Sequence, residues 1–339
     1  MWSVLVERLQ IDLRFPFYIK PHISGVFYLW DDGRFGIVPK KVLDHYILEK
    51  ITRVIPALMG QSVTINRINQ GITNNNFKVI VDGEAFFISL PGTDSKLLNI
   101  DFTNKYYNNK ICGDIGISPK VVHYNKTEEL LVTEFINSIN PVSKSFHGSE
   151  KISVLVKMIK TLHGAKLFYR NFNMFTYIYH YMDILKKDEL PKLLFPILNR
   201  IDNLGQKLAL YRTHLVPCHN DFVDGNIIDN QNQMFLVDFD YSGNNDPCFE
   251  LGNLIFEMNY NHDQVNELVK RYYGEIQENI ISRVYLQGIA SDIGWSLWGY
   301  VQAKVSNLNY DFNQYAINRM ERVTNKMDSV DYELWLKNI

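Results

Sequence analysis

The sequence predicts an α+β protein with two lobes, an antiparallel β-sheet lobe followed by a mostly helical lobe. Two observations carry this prediction. Between residues 62 and 90, short apolar runs alternate with turns, and from Ser149 onward apolar residues recur at helical spacing. A polar loop within the helical part, residues 216–257, lies where a cleft between the lobes is expected.

The elements are predicted in chain order from periodicity and turn signals. Residues 1–38 are aromatic and contain Asp32-Gly33 between apolar runs, which favours a β-rich extension of unknown role. The remaining predictions are a helix over 39–60, strands over 62–68, 77–83 and 84–90, a helix over 95–115, strands over 118–125 and 127–136, and helices over 151–165, 173–187, 191–211, 264–276, 282–308 and 311–327. We expect a sheet lobe over 39–137 and a helical lobe over 138–339, joined near 137–141.

Composition excludes several classes of protein. Lys and Arg number 35 against 37 Asp and Glu, a net charge of −2, so no basic excess exists to bind nucleic acid. We expect no membrane span, because no apolar tract reaches the roughly 18 residues that one needs. Glu7, Arg8 and Asp12 interrupt the first segment where a secretory signal would stay apolar, which predicts a cytoplasmic protein. The three cysteines are too few and scattered for a disulfide framework.

The loop from Val216 to Glu257 contains the strongest chemical pattern. Asn226 follows Asp221 by five residues, and an apolar run then ends at Asp238. Short polar side chains of this kind also cap helices and form turns. The ordered combination, however, is typical of magnesium-dependent phosphoryl transfer, in which one carboxylate accepts a hydroxyl proton while an amide and a second carboxylate hold the metal.

Several segments resemble the choline/ethanolamine kinases, including their bacterial relatives, within the wider aminoglycoside-phosphotransferase group. The resemblance covers about residues 40–330. It is carried by His219-Asn220-Asp221 with Asn226, by residues 238–243 (DFDYSG), 249–253 (FELGN), 295–304 (WSLWGYVQAK) and 161–164 (TLHG).

The resemblance implies a bilobal protein-kinase-like fold that binds ATP and Mg²⁺. It implies that Asp221 is the catalytic base, that Asn226 and Asp238 bind the metal, and that adenine lies near the hinge from Glu134 to Ile136. The turn between the first two strands, with Gly71, Thr73 and Asn74, would cover the nucleotide phosphates. One glycine in a hairpin is by itself weak support for that role.

The substrate side has its own signal. Trp295 and Trp298 are three residues apart on a predicted helix and therefore share a face. A quaternary ammonium cannot donate hydrogen bonds, so aromatic faces and carboxylates recognise it. A tryptophan pair at helical spacing is often only core packing. The resemblance favours a choline pocket, to which it adds Glu257 and Tyr315.

One feature departs from the family. The resemblance places Arg or Lys where this chain has Ser89, and a helix glutamate where it reads Asn104-Lys105-Tyr106-Tyr107. Two explanations stay open: either Lys105 or Lys96 supplies the missing charge from elsewhere, or nucleotide affinity and turnover are poor.

The sequence thus predicts an ATP- and Mg²⁺-dependent choline kinase that acts on a small amino alcohol, with a homodimer possible. Alternatives within the class are an ethanolamine kinase or a kinase for another small alcohol or an aminoglycoside. The alternative of another class is a catalytically weak pseudokinase that binds nucleotide or choline.

Overall fold

The structure is a computed structural model. It describes residues 18–22, 25–29, 35–38, 62–68, 73–92, 94–137, 146–186, 190–210, 213–306, 308 and 310–339. The chain divides into two compact units. The first comprises Met1–Gly60 with Asn307–Tyr310, and the second comprises Gln61–Ser306 with Asp311–Ile339.

In the first unit, the described residues form a three-stranded antiparallel sheet in the order β1-β2-β3. The strands are β1 (Tyr18–His22), β2 (Gly25–Leu29) and β3 (Phe35–Val38). Leu29 pairs with Phe35, so β2 and β3 flank the Asp32-Gly33 step from which a hairpin was predicted. The helix predicted over 39–60 and the junction at 138–141 lie outside the described residues.

The second unit begins with a five-stranded antiparallel sheet in the order β4-β5-β6-β8-β7. Its strands are β4 (Val63–Ile68), β5 (Asn75–Val81), β6 (Glu84–Leu90), β7 (Val121–Asn125) and β8 (Leu130–Glu134). The central strands bury apolar residues on one face of the sheet, since Phe77 pairs with Ile88 and Ile88 pairs with Val132. Phe77, Val79, Ile88 and Val132 are at most 2% exposed.

Helices dominate the rest of this unit. They are α1 (Phe102–Asp114), α2 (Ser149–His163), α3 (Met174–Leu185), α4 (Leu198–Leu210), α5 (Pro247–Glu257), α6 (His262–Tyr273), α7 (Glu278–Val305), α8 (Phe312–Met327) and α9 (Val330–Asn338). Most of α7 is buried on all sides because α3, α5, α8 and α9 pack around it. Short strand pairs, β9 (Val216–Cys218) with β12 (Gly243–Asn245) and β10 (Ile227–Asp229) with β11 (Met234–Leu236), frame the polar loop.

Close helix packing places α5 against α7. A Cβ added at Gly252 would lie 2.5 Å from the backbone nitrogen of Gly288 and from the carbonyl oxygen of Val284, so only glycine fits there. The described helices include none with an apolar stretch long enough to cross a bilayer.

Two predicted helices needed correction, and two further helices were missed. The helix predicted over 95–115 begins only at Phe102, because Asn99 has a φ of +59° and the Asp101 side chain caps the new helix through the amides of Thr103 and Asn104. Residues 192–197 form a 3₁₀ helix before α4, since Pro196 cannot donate an amide hydrogen bond. Helices α5 and α9 were not predicted.

Candidate active site

The polar loop brings together the three residues predicted from sequence to carry the chemistry. Asn226 Nδ2 donates to the Asp221 carbonyl at 3.0 Å and to Asp221 Oδ2 at 3.1 Å. Asp238 follows β11 with a φ of +66°, an uncommon conformation for a residue other than glycine. Its side chain is 32% exposed and its charge acts on Asp221. The loop therefore presents two carboxylates and an amide to one partly open space.

Buried groups hold this loop in position. Glu250, at the N-terminal end of α5, accepts hydrogen bonds from the backbone amides of His219 at 2.8 Å and Asn220 at 2.7 Å. Asn253, almost one turn later, accepts from the amide of Phe222 at 2.6 Å. The α5 helix thus fixes the backbone on both sides of Asp221.

The His219 ring lies between two backbone carbonyls, with Nδ1 3.0 Å from Asp221 O and Nε2 2.9 Å from Val237 O. Burial lowers the pKa of His219 to about 4, so the ring is neutral at pH 7 and donates to one of these carbonyls. The ring therefore links the backbone at Asp221 to the backbone at Val237, the residue before Asp238.

A second buried cluster lies beneath the loop. The ligand-type atoms of His163, Cys218 and Glu250 lie within 4.8 Å of one another. Burial lowers the pKa of His163 to about 3 and raises that of Cys218, and His163 Nδ1 lies 2.6 Å from the Tyr272 hydroxyl. Glu250 already accepts hydrogen bonds from two backbone amides, so these side chains hold the loop in position.

The carboxyl group of Asp221 is easily protonated for an aspartate. Its pKa is raised to about 8, first by burial and then by the negative charges of Glu257 and Asp238, while Arg319 and the Asn226 hydrogen bond oppose the shift. A carboxyl group whose pKa lies near neutrality suits a general base that takes a proton from an alcohol.

A buried cation lies beside the polar loop. Lys105, on α1, is 4% exposed, and its Nζ lies 2.5 Å from Asp240 Oδ1, 3.4 Å from Asp238 Oδ1 and 3.5 Å from Ser89 Oγ. Burial disfavours its charge, but Asp240 and Asp238 outweigh that effect, and the pKa of Lys105 is raised. Asn74 Nδ2 also donates to Asp240, at 2.6 Å.

The turn between β4 and β5 is only partly described, and Gly71 lies outside the described residues. Thr73 and Asn74 lead into β5. A Cβ added at Gly92 would lie 2.0 Å from the Thr73 carbonyl oxygen, so this close approach requires glycine. The end of β6 is thereby packed against the turn.

The predicted hinge lies at the end of β8. Glu134 is the last residue of that strand and its backbone amide donates to Lys120 O at 3.0 Å, while Phe135 N donates to Ala85 O at 3.3 Å. Ile136 follows as the chain leaves the sheet.

Three of the predicted substrate residues, Trp295, Trp298 and Tyr315, lie in one aromatic cluster, which also contains Tyr241, a residue that was not predicted. Its ring centroids are 4.8 Å apart for Tyr241–Trp295, 6.3 Å for Trp295–Trp298 and 5.7 Å for Trp298–Tyr315. Both indole N–H groups are buried and have no hydrogen-bond partner among the described residues. The cluster is thus a buried group of aromatic rings, with Trp295 3% and Trp298 4% exposed, and it contains two unused donors.

Arg319, which was not predicted, joins this cluster. Its Nη1 lies 2.6 Å from Glu257 Oε1 and 2.9 Å from Asp292 Oδ1, and its guanidinium lies 4.5 Å above the Tyr315 ring. The charge of Glu257 is therefore already paired within the protein. The sequence gives no local signal for this contact, because Glu257 and Arg319 belong to different helices.

These residues fit a hard divalent cation. The two predicted metal residues, Asn226 and Asp238, offer an amide oxygen and a carboxylate, and Mg²⁺ prefers oxygen donors. The Nδ2 atom of Asn226 is used in the hydrogen bond to Asp221, which leaves its amide oxygen Oδ1 for another partner. The fit rests on the type of these donors.

Comparison with known proteins identifies the family of this chain. The sequence model of the choline/ethanolamine kinase family matches residues 65–273. Protein LicA of Haemophilus influenzae is 23% identical over 268 residues, covering 74% of this chain and 76% of LicA. Ethanolamine kinase 2 of Rattus norvegicus is 25% identical over 315 residues, covering 81% of this chain and 79% of that protein.

Solved structures give the same result. A choline/ethanolamine kinase family protein from Mesorhizobium loti superposes with a TM-score of 0.73 at 26% identity, covering 87% of this chain and 98% of that one. A structure of LicA in complex with AMP gives a TM-score of 0.67 at 22% identity, covering 82% and 96%. Fold and site define a phosphotransferase of protein-kinase-like fold with an alcohol acceptor. The chain belongs to the choline/ethanolamine kinase family.

Proposed function

We propose that this protein phosphorylates the hydroxyl group of choline, using ATP and Mg²⁺ and releasing phosphocholine and ADP. One observation carries the proposal. The α5 helix holds the Asp221 loop through Glu250 and Asn253, and it ends at Glu257, which joins the aromatic cluster through Arg319. A proton acceptor and a set of aromatic faces are thus fixed to one helix.

Asp221 acts as the general base in this proposal. One of its carboxylate oxygens is held by Asn226, which leaves the other to accept the proton of the alcohol. The alcohol oxygen bonds to the γ-phosphorus as the bond from that phosphorus to ADP breaks, so atoms and charge balance. Asn226 and Asp238 hold the magnesium ion, which when bound neutralises charge on the phosphate oxygens.

The nucleotide is proposed to bind between the sheet lobe, about residues 39–137, and the helical lobe, about residues 138–339. Thr73 and Asn74, with Gly71 in the same turn, cover the phosphates, and the backbone from Glu134 to Ile136 receives the adenine. The AMP held by the related LicA structure supports nucleotide binding by this fold.

The trimethylammonium group is proposed to bind on Trp295 and Trp298, with Tyr315 beside them. Each good aromatic face contributes about 0.5–2 kcal/mol to binding a cation. Arg319 neutralises much of the charge on Glu257, so in this proposal the aromatic faces carry most of the recognition of the cation. The pKa of Asp221 responds to both Glu257 and Arg319, which indicates that these charges lie near one another.

The test is product formation by the purified protein with ATP and Mg²⁺, followed by ³¹P NMR, on choline, ethanolamine and other small alcohols. Phosphocholine is the expected main product. Asp221→Asn should abolish it while the melting transition is retained, and Asp224→Asn, a change at an exposed position of the same loop, should leave it intact. Retention of more than a few per cent of activity by Asp221→Asn would refute the assignment of the base.

A further inference from the structure

We propose that Lys105, mounted on helix α1, is the fixed cation that neutralises the nucleotide phosphates, and that Asp240 is the carboxylate that positions it. Protein kinases carry this charge as a lysine on a sheet strand, paired with a glutamate on the neighbouring helix. Here the cation comes from the helix, and the carboxylate comes from the metal loop. The inference rests on the proposed use of ATP.

The first support is the position of the amine. Ser89 lies on β6 and is fully buried, and its hydroxyl is 3.5 Å from Lys105 Nζ. The ammonium group therefore occupies the space into which a longer, cationic side chain at position 89 would extend. A cation is therefore present beside β6, but it comes from helix α1 and not from the strand.

The second support is the arrangement of carboxylates around the amine. A buried ammonium group is costly unless it is paired, and Lys105 is paired twice, with Asp240 at 2.5 Å and with Asp238 at 3.4 Å. Asp238 is the proposed metal ligand and Asp240 is 5% exposed. Asp240 therefore holds Lys105 in place when Asp238 serves the metal.

The third support is the link to the phosphate-covering turn. The second oxygen of Asp240 accepts from Asn74 Nδ2 at 2.6 Å, so one carboxylate holds both the turn and the lysine. Lys105 thus lies between the metal loop and the turn that is proposed to cover the nucleotide phosphates.

The fourth support is the rigid attachment of α1. Asn104 Nδ2 donates to the Ser242 carbonyl at 2.8 Å, and Asn108 Nδ2 donates to the Ser242 hydroxyl at 2.8 Å. These two asparagines lie on either side of Lys105 in the sequence, and both are buried. The helix is therefore fixed to the same loop that carries Asp238 and Asp240, and the distance between cation and metal site is set.

The other candidate cation, Lys96, lies differently. It is exposed on the turn that precedes α1, before the Asp101 cap. An exposed, strongly hydrated ammonium group is not held against a phosphate, so the geometry favours Lys105.

The test compares MgATP and AMP binding by calorimetry without any alcohol acceptor. Lys105→Met should weaken MgATP affinity about 10- to 100-fold, as expected for a charge-assisted contact, and AMP affinity by less than about threefold. Lys110→Met is the matched control, since Lys110 is half-exposed on the same helix and pairs with Asp114 at 3.1 Å. An equal loss for both nucleotides, or no loss, would overturn the proposal.

The double variant Ser89→Lys/Lys105→Met moves the ammonium group from helix α1 to strand β6. It should bind MgATP within about fivefold of the unmodified protein, because the cation returns to the same place. This variant also decides the matter if Lys105→Met does not fold, since it keeps a cation between Asp238 and Asp240. A folded double variant whose MgATP affinity falls about tenfold or more below that of the unmodified protein would refute the role.

The proposed function and this inference can fail separately. If the protein binds MgATP through Lys105 but forms no phosphocholine, the acceptor is wrong and the cation assignment stands. If it forms phosphocholine and Lys105→Met keeps full MgATP affinity, the function stands and the assignment falls.

Discussion

At the scale of single residues, Asp221 combines a proposed chemical role with a cost to folding. Folding raises its pKa from 3.8 to about 8. Between these values the unfolded chain has lost the proton that the folded chain keeps, so stability falls as the pH rises through this window. The residue best placed to accept a proton therefore destabilises the fold at alkaline pH.

Asp221→Asn should relieve this cost. Without metal or nucleotide, the variant should be more stable than the unmodified protein at pH 9 by about 2–5 kcal/mol, a value reduced for the partial exposure of the side chain. The gain should nearly vanish at pH 4. Thermal unfolding in EDTA at the two pH values measures it, with Asp224→Asn as the control. An equal difference at both pH values would show that the carboxyl group is not perturbed.

Trp298 gives a second residue-scale prediction. Trp298→Leu removes one aromatic face and should raise the KM for choline about tenfold, with a smaller change in the KM for ATP. Trp335→Leu is the matched control, because that tryptophan is also buried but stacks on Tyr285 at 4.4 Å. If the two variants raise the KM for choline equally, Trp298 acts through packing alone.

The amino-acid sequence predicted those residues of the candidate site whose partners are close in the chain or lie on the same helix. Asp221 and Asn226 are five residues apart, and Trp295 and Trp298 share a face of α7. Arg319 was not predicted, because its contact with Glu257 depends on how two helices pack. The position of Lys105 beside Ser89 was left open between two lysines for the same reason.

At the scale of elements, α5 is the link between chemistry and recognition. Its first turns hold the Asp221 loop and its last residue reaches Arg319. This helix was not predicted, although its sequence FELGN supplied part of the family resemblance. The strands were predicted more closely, since alternation marks one buried face. The start of α1 was missed, because the backbone of Asn99 and the Asp101 cap override its apolar spacing.

The variant Glu250→Gln tests whether α5 positions the Asp221 loop for catalysis. A glutamine offers one oxygen where two backbone amides each need an acceptor, so the amide of His219 or Asn220 loses its bond. We expect kcat to fall about 10- to 100-fold with little change in the KM for choline. Hydrogen exchange at the two amides should quicken. Glu267→Gln, at a partly exposed position on α6, should change neither, and an unaltered kcat in Glu250→Gln would contradict the role of α5.

At the scale of the whole molecule, the fold combines a five-stranded sheet with a helical region built around α7, and the site draws on both. The β6 strand and the turn before β5 supply Ser89 and Asn74, α1 supplies Lys105, and the region after residue 213 supplies the loop and the aromatic cluster. The two-part architecture was predictable because its periodicities differ. The order of strands in the sheet was not, since pairing is set by packing.

The comparison of choline with ethanolamine tests the central claim most directly. A primary ammonium is strongly hydrated and seeks hydrogen-bond acceptors, whereas a trimethylammonium group gains from the faces of Trp295 and Trp298. Measured with ATP and Mg²⁺ on the unmodified protein, kcat/KM should favour choline at least about tenfold. An equal or higher kcat/KM for ethanolamine would contradict the assignment of the aromatic cluster as a choline site.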